Sequence, residues 1–187
     1  MSKAIDCVRF QPKSEPCSLM KAFDEKKAQE VLRYHRTLPV YEQTPLTILS
    51  AFAESVGVKE IFVKDESYRF GLNAFKALGS SYCMATLMAE KLGLSSEEVT
   101  FEKITTPESK KALGELTFVT ATDGNHGRGV AWSAKMLGHK SIVLMPKGTA
   151  PERLENIKKL GSDASITDYV YDVTVQMAAQ KAREVGG

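Results

Sequence analysis

Two short segments, separated by nearly fifty residues, combine residue types that suit covalent and acid–base chemistry. The first is Lys64-Asp65-Glu66-Ser67-Tyr68-Arg69-Phe70-Gly71-Leu72-Asn73-Ala74-Phe75-Lys76. It follows a strand-like apolar run, Ile61-Phe62-Val63, and leads into a helical pattern expected over 74–92. With Asn73 as its N-cap, Lys76 falls in the first helical turn. The partial positive charge of a helix N-terminus disfavours an ammonium there and favours the free amine. A free amine is the form in which a lysine condenses with a carbonyl. The plain alternative is an exposed lysine snorkelling from a helix end.

The second segment is Asp123-Gly124-Asn125-His126-Gly127, between an apolar strand at 117–121 and a helix expected over 126–137. Its two glycines let a backbone approach a ligand closely, and the helix start offers unpaired N–H groups. A carboxylate, an amide and an imidazole in five residues are more polarity than a plain connection requires. The alternative is a helix cap, with Asp123 or Asn125 accepting backbone N–H bonds.

The elements that must position these segments alternate. Strands are expected at 117–121, 141–145 and 164–167. Helices are expected at 126–137, from Pro151 to the stop at Gly161 with Leu154, Ile157 and Leu160 inward, and at about 172–184. Near-continuous apolar strands between amphipathic helices mean an α/β fold: an open, mostly parallel twisted sheet with helices on both faces, in three layers. Ligands of such sheets bind beyond the carboxyl ends of the strands, where the 123–127 segment lies. Upstream, residues 1–18 read as an irregular lead-in. A helix over 19–37 has Phe23, Val31 and Leu32 as its inward residues, and another is expected from Leu46 to Val56, ending at Gly57. Residues 93–115 read as a polar surface excursion with Ser95 and Glu98 in capping-box spacing.

Composition excludes several classes. The 187 residues are 43% hydrophobic and 26% charged, which argues for a globular chain and against a disordered one. The net charge of +2 gives no support for nucleic-acid binding. No apolar run is long enough to span a membrane, and the first residues lack the apolar core of a signal peptide. Three cysteines without a CxxC pair suggest neither a disulfide framework nor a metal centre, and a cytoplasmic setting is expected. Cys83 is expected in a helix core, while His35 and His139 read as isolated surface or helix-end histidines.

Taken together, Phe75-Lys76 after the Lys64-Asp65-Glu66 strand end and the Gly124-Asn125-His126-Gly127 loop resemble the tryptophan-synthase-β-like, fold type II enzymes that depend on pyridoxal 5'-phosphate. Two motifs in matching order and context are a far more specific signal than one glycine loop. The longer strings Arg69-Phe70-Gly71-Leu72-Asn73-Ala74-Phe75-Lys76 and Thr122-Asp123-Gly124-Asn125-His126-Gly127-Arg128-Gly129-Val130-Ala131-Trp132, with Met145-Pro146-Lys147-Gly148, are similar to the diaminopropionate ammonia-lyases. Where serine and threonine dehydratases of the same fold usually carry serine, this chain has Asp123. The similarity runs from about Tyr41 to the end.

The resemblance implies that Lys76 carries the cofactor as a Schiff base, Phe75 packs on its ring, and Asn125 contacts the ring hydroxyl beside Gly124. Asp123 is implied as the base for the D-isomer of the substrate, with Lys76 facing it from the other side. The implied reaction is α,β-elimination of 2,3-diaminopropionate, through aminoacrylate, to pyruvate and ammonia. A dehydratase of hydroxy amino acids, and an inactive half that needs a partner chain, are the alternatives. Glu66 and Asp65 are expected to brace the loop before Lys76, and His126 to orient or cap.

The implied partner is a small amino acid, with no nucleic acid and no membrane, and the family enzyme is expected as a homodimer. That enzyme is roughly twice this length. Its phosphate cradle, the group facing the pyridine nitrogen and the second acid are expected after Gly187, so the chain is expected to be an incomplete catalytic region. It divides approximately into 1–83, with the lysine, and a smaller αβα part at 84–187. A complementing C-terminal chain is a possible partner under this reading.

Overall fold

The computed structural model describes residues 23–186. The expected lead-in, the start of the first helix at residue 19, and Cys7 and Cys17 lie outside the described residues. The helix α1 spans Glu25–Thr37, with the Asp24 carboxylate accepting the Lys27 N–H at 2.8 Å as its cap. Its inward face is Tyr34 and His35, continued by Leu38, and not Phe23, which is 84% exposed. Val31 and Leu32 are only half-buried. His35 is therefore a core residue and not a surface one. Its Nε2–H donates to the Leu78 carbonyl at 2.9 Å, and burial pushes its pKa down.

The helix expected over 46–56 is divided. Leu46–Ile48 forms β1, which pairs antiparallel with β2 (Phe62–Lys64), and only Ser50–Ser55 is helical, as α2. Apolar residues at helical spacing fit either structure in so short a run. The backbone groups of 46–48 are drawn into the ladder with β2, which lies adjacent in the fold but distant in the window. Leu46, Ile48, Phe52 and Phe62 of this hairpin unit are all more than half exposed.

Between β2 and the next helix the chain is held by a polar knot. Arg69 grips the Glu66 carboxylate with two donors, Nε at 2.8 Å and Nη2 at 2.9 Å. It also donates to the Thr44 hydroxyl and the Glu42 carbonyl. Thr44 in turn donates to Glu66 at 2.6 Å, and the Asp65 carboxylate accepts from the Ser67 N–H and hydroxyl. Glu66 and Asp65 thus brace the loop, as expected. The Arg69 guanidinium holds the Glu66 carboxyl down at about 2. Phe70, with φ 52°, leaves the chain's regular path and stacks on Trp132 at 4.7 Å.

The helix α3 (Lys76–Lys91) begins two residues later than an Asn73 cap implies. Asn73 has φ 50°, a left-handed conformation that asparagine tolerates better than most residues, and so stands outside the helix. Phe75 occupies the cap position, and Lys76 is the first helical residue. Cys83 is exposed, because α3 buries Ala77, Ser81, Met84, Ala85 and Met88 instead. The excursion after α3 carries the Ser95–Glu98 capping box and the helices α4 (Phe101–Ile104) and α5 (Pro107–Leu113). It is not wholly superficial: Val99 and Ile104 belong to the main core.

The sheet of the second part is parallel, in order β3 (Thr117–Ala121), β4 (Lys140–Met145), β5 (Asp163–Ile166). Its helices are α6 (Asn125–Leu137), α7 (Pro151–Lys158) and α8 (Tyr171–Gly186). Alternate residues of β4 serve both faces. Val143 and Met145 pack with Ala131 and Ile157 of α6 and α7, whereas Ile142 and Leu144 line a groove under Met177 of α8. This is the expected α/β three-layer arrangement.

The helices α3 and α6 cross at small residues, with the Ser80 and Ser133 hydroxyls 2.9 Å apart. At the crossing, a Cβ on Gly129 would stand 2.9 Å from the Lys76 carbonyl carbon and 2.9 Å from the Ala77 nitrogen. Only a glycine admits that backbone contact. Gly129→Ala should therefore lower stability by about 1–3 kcal/mol, read as a fall in melting temperature, because neither backbone can yield locally.

Glu66 generates a pH prediction. Its folded pKa is depressed, so its contribution is present above the unfolded value of 4.5 and is lost as pH falls towards about 2. The difference in melting temperature between the parent and Glu66→Gln should be full at neutral pH and vanish across that acidic window.

Candidate active site

The carboxyl end of β3 runs into a tight loop whose shape is set by a buried threonine. The Thr122 hydroxyl oxygen accepts from the Gly124 N–H and from the Gly127 N–H, both at 3.0 Å. Thr122 itself is 2% exposed. Gly127 is packed too closely for any side chain, since a Cβ there would lie 2.3 Å from Thr122 Cγ2 and 2.9 Å from Val143 Cγ1. The helix α6 then starts at Asn125 with Gly124 as its cap residue and no side-chain cap. The capping alternative for Asp123 and Asn125 is not what this loop does.

Lys76 arrives from the other side. Its helix α3 is locked against α6 at Gly129, which sets the start of α3 beside the 123–127 loop. The Lys76 ammonium stands over the Phe75 ring, 5.0 Å from its centroid. Lys76, Thr122, Asp123, Asn125, His126 and Arg153 line one cleft of about 640 Å³, with Tyr171 at the start of α8 also in its wall. Such a volume suits a small cofactor or substrate. His126 is exposed on its outer side, yet the neighbouring chain desolvates its ring, and this, with the nearby Lys76 charge second, pushes its pKa down. At neutral pH the imidazole is therefore uncharged, and Lys76 is not faced by a second cation from it.

The structure thus brings Lys76, Asp123 and Asn125 to one cleft, although the sequence separates them into two groups, while Phe75 lies against Lys76 and Gly124 sits within the loop, neither lining the cleft. The set of an amine, an amide and an exposed carboxylate around a roomy cleft fits a carbonyl cofactor held through Lys76. Sequence reasoning left three contributors without a role. Thr122 was legible as a threonine two residues before a glycine turn, the pattern of a hydroxyl that bonds its own backbone. Arg153 was legible as a cation in the first turn of a helix, where the dipole disfavours one. Tyr171 carried no signal, because its approach depends on how α8 returns across the sheet.

Comparison with known proteins gives the family and the fold. The model of the family "Pyridoxal-phosphate dependent enzyme" matches residues 37–187. The diaminopropionate ammonia-lyase of Salmonella typhimurium is 48% identical over 157 residues, covering 84% of this chain and 39% of that protein. The crystal structure of the Escherichia coli diaminopropionate ammonia-lyase in apo form superimposes with a TM-score of 0.83 at 44% identity, covering 93% of this chain and 46% of that one. The same enzyme in complex with an aminoacrylate-PLP azomethine reaction intermediate gives a TM-score of 0.81. The mitochondrial threonine dehydratase of Schizosaccharomyces pombe is more distant, at 29% identity over 158 residues. The chain spans about two fifths of the length of the curated ammonia-lyase. A family match over most of its residues, on a fold of the same kind, means that this chain belongs to the pyridoxal-phosphate dependent enzymes.

Proposed function

We propose that this chain carries the lysine-bearing part of an ammonia-lyase that releases both amino groups of 2,3-diaminopropionate, the β-amine by elimination and the other by hydrolysis of aminoacrylate. The observation that carries the reading is the meeting of Lys76, Asp123 and Asn125 at one cleft. The identity with diaminopropionate ammonia-lyases supports that substrate over a hydroxy amino acid. In this reading residues 1–83 present Lys76 and residues 84–187 present the Asp123 loop. The setting is cytoplasmic, and the working form is a homodimer or a complex with a complementing chain.

Lys76 would hold the aldehyde carbon of pyridoxal phosphate through its amine, with Phe75 against the ring and Asn125 orienting it beside Gly124. When bound, the cofactor supplies an electron sink for negative charge at the substrate's Cα. The chain's own residues do the rest. Asp123 accepts the α-proton, a role in which a carboxylate is a better base at neutral pH than the serine hydroxyl of the related dehydratases. Lys76 would move a proton on the opposite side whenever its amine is not bonded to the cofactor. The net reaction consumes one water and yields pyruvate and two ammonia.

Pyridoxal phosphate added and then removed by desalting should leave a visible absorption band in the parent and none in Lys76→Ala. A band retained by both would remove Lys76 from the role. Assay of the products should give two ammonia per pyruvate from diaminopropionate, and a ratio of one from serine with no diamine turnover would select the dehydratase reading. Asp123→Asn should keep the band and lose about 100- to 10,000-fold in elimination rate, the usual cost of removing a general base. A band with no turnover of either substrate would make the chain an inactive half.

A further inference from the structure

Arg153 lines the cleft and has no part in the reaction described above. It stands in the first turn of α7, after Pro151 and Glu152. A cation in that turn works against the helix dipole, so local helix stability does not account for it. Its side chain leaves α7 and lies across Gly124. A Cβ built on that glycine would be 3.4 Å from Arg153 Cδ and 3.5 Å from Nη1. The guanidinium then donates from Nη1 to the main-chain carbonyl of Asp123 at 2.8 Å. A hydrogen bond from a charged donor is stronger and more directional than one between neutral groups.

The loop has two grips, and both reach the peptide that joins Asp123 to Gly124. Thr122 holds the Gly124 and Gly127 N–H groups from inside the fold. Neither bond touches the carbonyl of Asp123; among the described residues Arg153 is its one donor, from the cleft side. The direction of a side chain follows from its backbone, so fixing the plane of the peptide after Asp123, by its N–H from Thr122 and by its C=O from Arg153, restricts where the Asp123 carboxylate can reach. Arg153 also ties the loop after β3 to the helix after β4, two neighbouring crossovers of one sheet.

We infer that Arg153 is a positioning residue for the Asp123 carboxylate, acting through the Asp123 carbonyl and not through the substrate. This rests on the reading of Asp123 as the proton acceptor. The test compares Arg153→Ala and Arg153→Lys in the protein loaded with pyridoxal phosphate. Arg153→Ala should lower kcat about 10- to 100-fold and leave KM nearly unchanged, since a misplacement of roughly 1 Å at a catalytic group costs that much. Arg153→Lys should recover most of the loss, because an ammonium can still donate to the carbonyl. Hydrogen–deuterium exchange over residues 122–128 should quicken in Arg153→Ala and stay near the parent's in Arg153→Lys.

A raised KM with kcat retained would overturn the inference by making Arg153 a substrate-binding group. Unchanged exchange in Arg153→Ala would overturn it by removing the tether. Equal loss of kcat in both variants would also overturn it, because Arg153→Lys keeps both a positive charge and a donor for the carbonyl. If the parent turns over no amino acid, the proposed reaction fails, while the exchange comparison, which needs no turnover, still decides whether Arg153 holds the loop.

Discussion

The contact on which the site depends is the approach of two helix backbones at Gly129. With no side chain on α6 at that point, the peptide joining Lys76 to Ala77 sits directly against it. The first turn of α3 is thereby fixed relative to the first turn of α6. Those two turns carry the amine and the amide of the cleft. Close packing of this kind transmits position, because interiors pack nearly as densely as organic crystals and leave little slack. The serine pair one turn further along reinforces the crossing at 2.9 Å.

Around that crossing, polar side chains hold the segments that regular structure leaves unsupported. The stretch between β2 and α3 contains two residues with positive φ, Phe70 and Asn73, and cannot rely on a ladder or a helix for its shape. The Glu66–Arg69–Thr44 knot supplies the missing constraint, and the Phe70 ring stacked on Trp132 ties the same stretch to α6. On the other side of the cleft, Thr122 does the equivalent work for the loop after β3. Buried donors and acceptors are paired in both places, which is what allows irregular backbone to remain in a defined shape.

Much of the second part was legible from sequence. Three apolar strands, the helices between them and the stops at Gly138 and Gly161 follow from periodicity and from glycines that adopt positive φ. The first part was less so. Residues 46–56 present apolar side chains at a spacing that suits a helix, yet pairing with β2 turns the first three into a strand. The inward face of α1 was misread at Phe23, and His35 and Cys83 exchanged the buried and exposed positions expected of them. Each of these errors concerns which face another element covers, and no short window contains that element.

Sequence alone determined the chemistry available: a lysine at a helix start, a carboxylate in a glycine loop, and two motifs in the order of a known family. These are properties of residue type and near spacing, and they survive without coordinates. Only the tertiary structure decided that Lys76 and Asp123 share one cleft, that Thr122 shapes the loop from beneath, and that Arg153 reaches it from α7. The physical reason is distance along the chain. Helix caps and strand runs are local agreements between neighbours, whereas the cleft is made by the crossing of α3 over α6 and by the register of β3 on β4, and both depend on packing between segments dozens of residues apart.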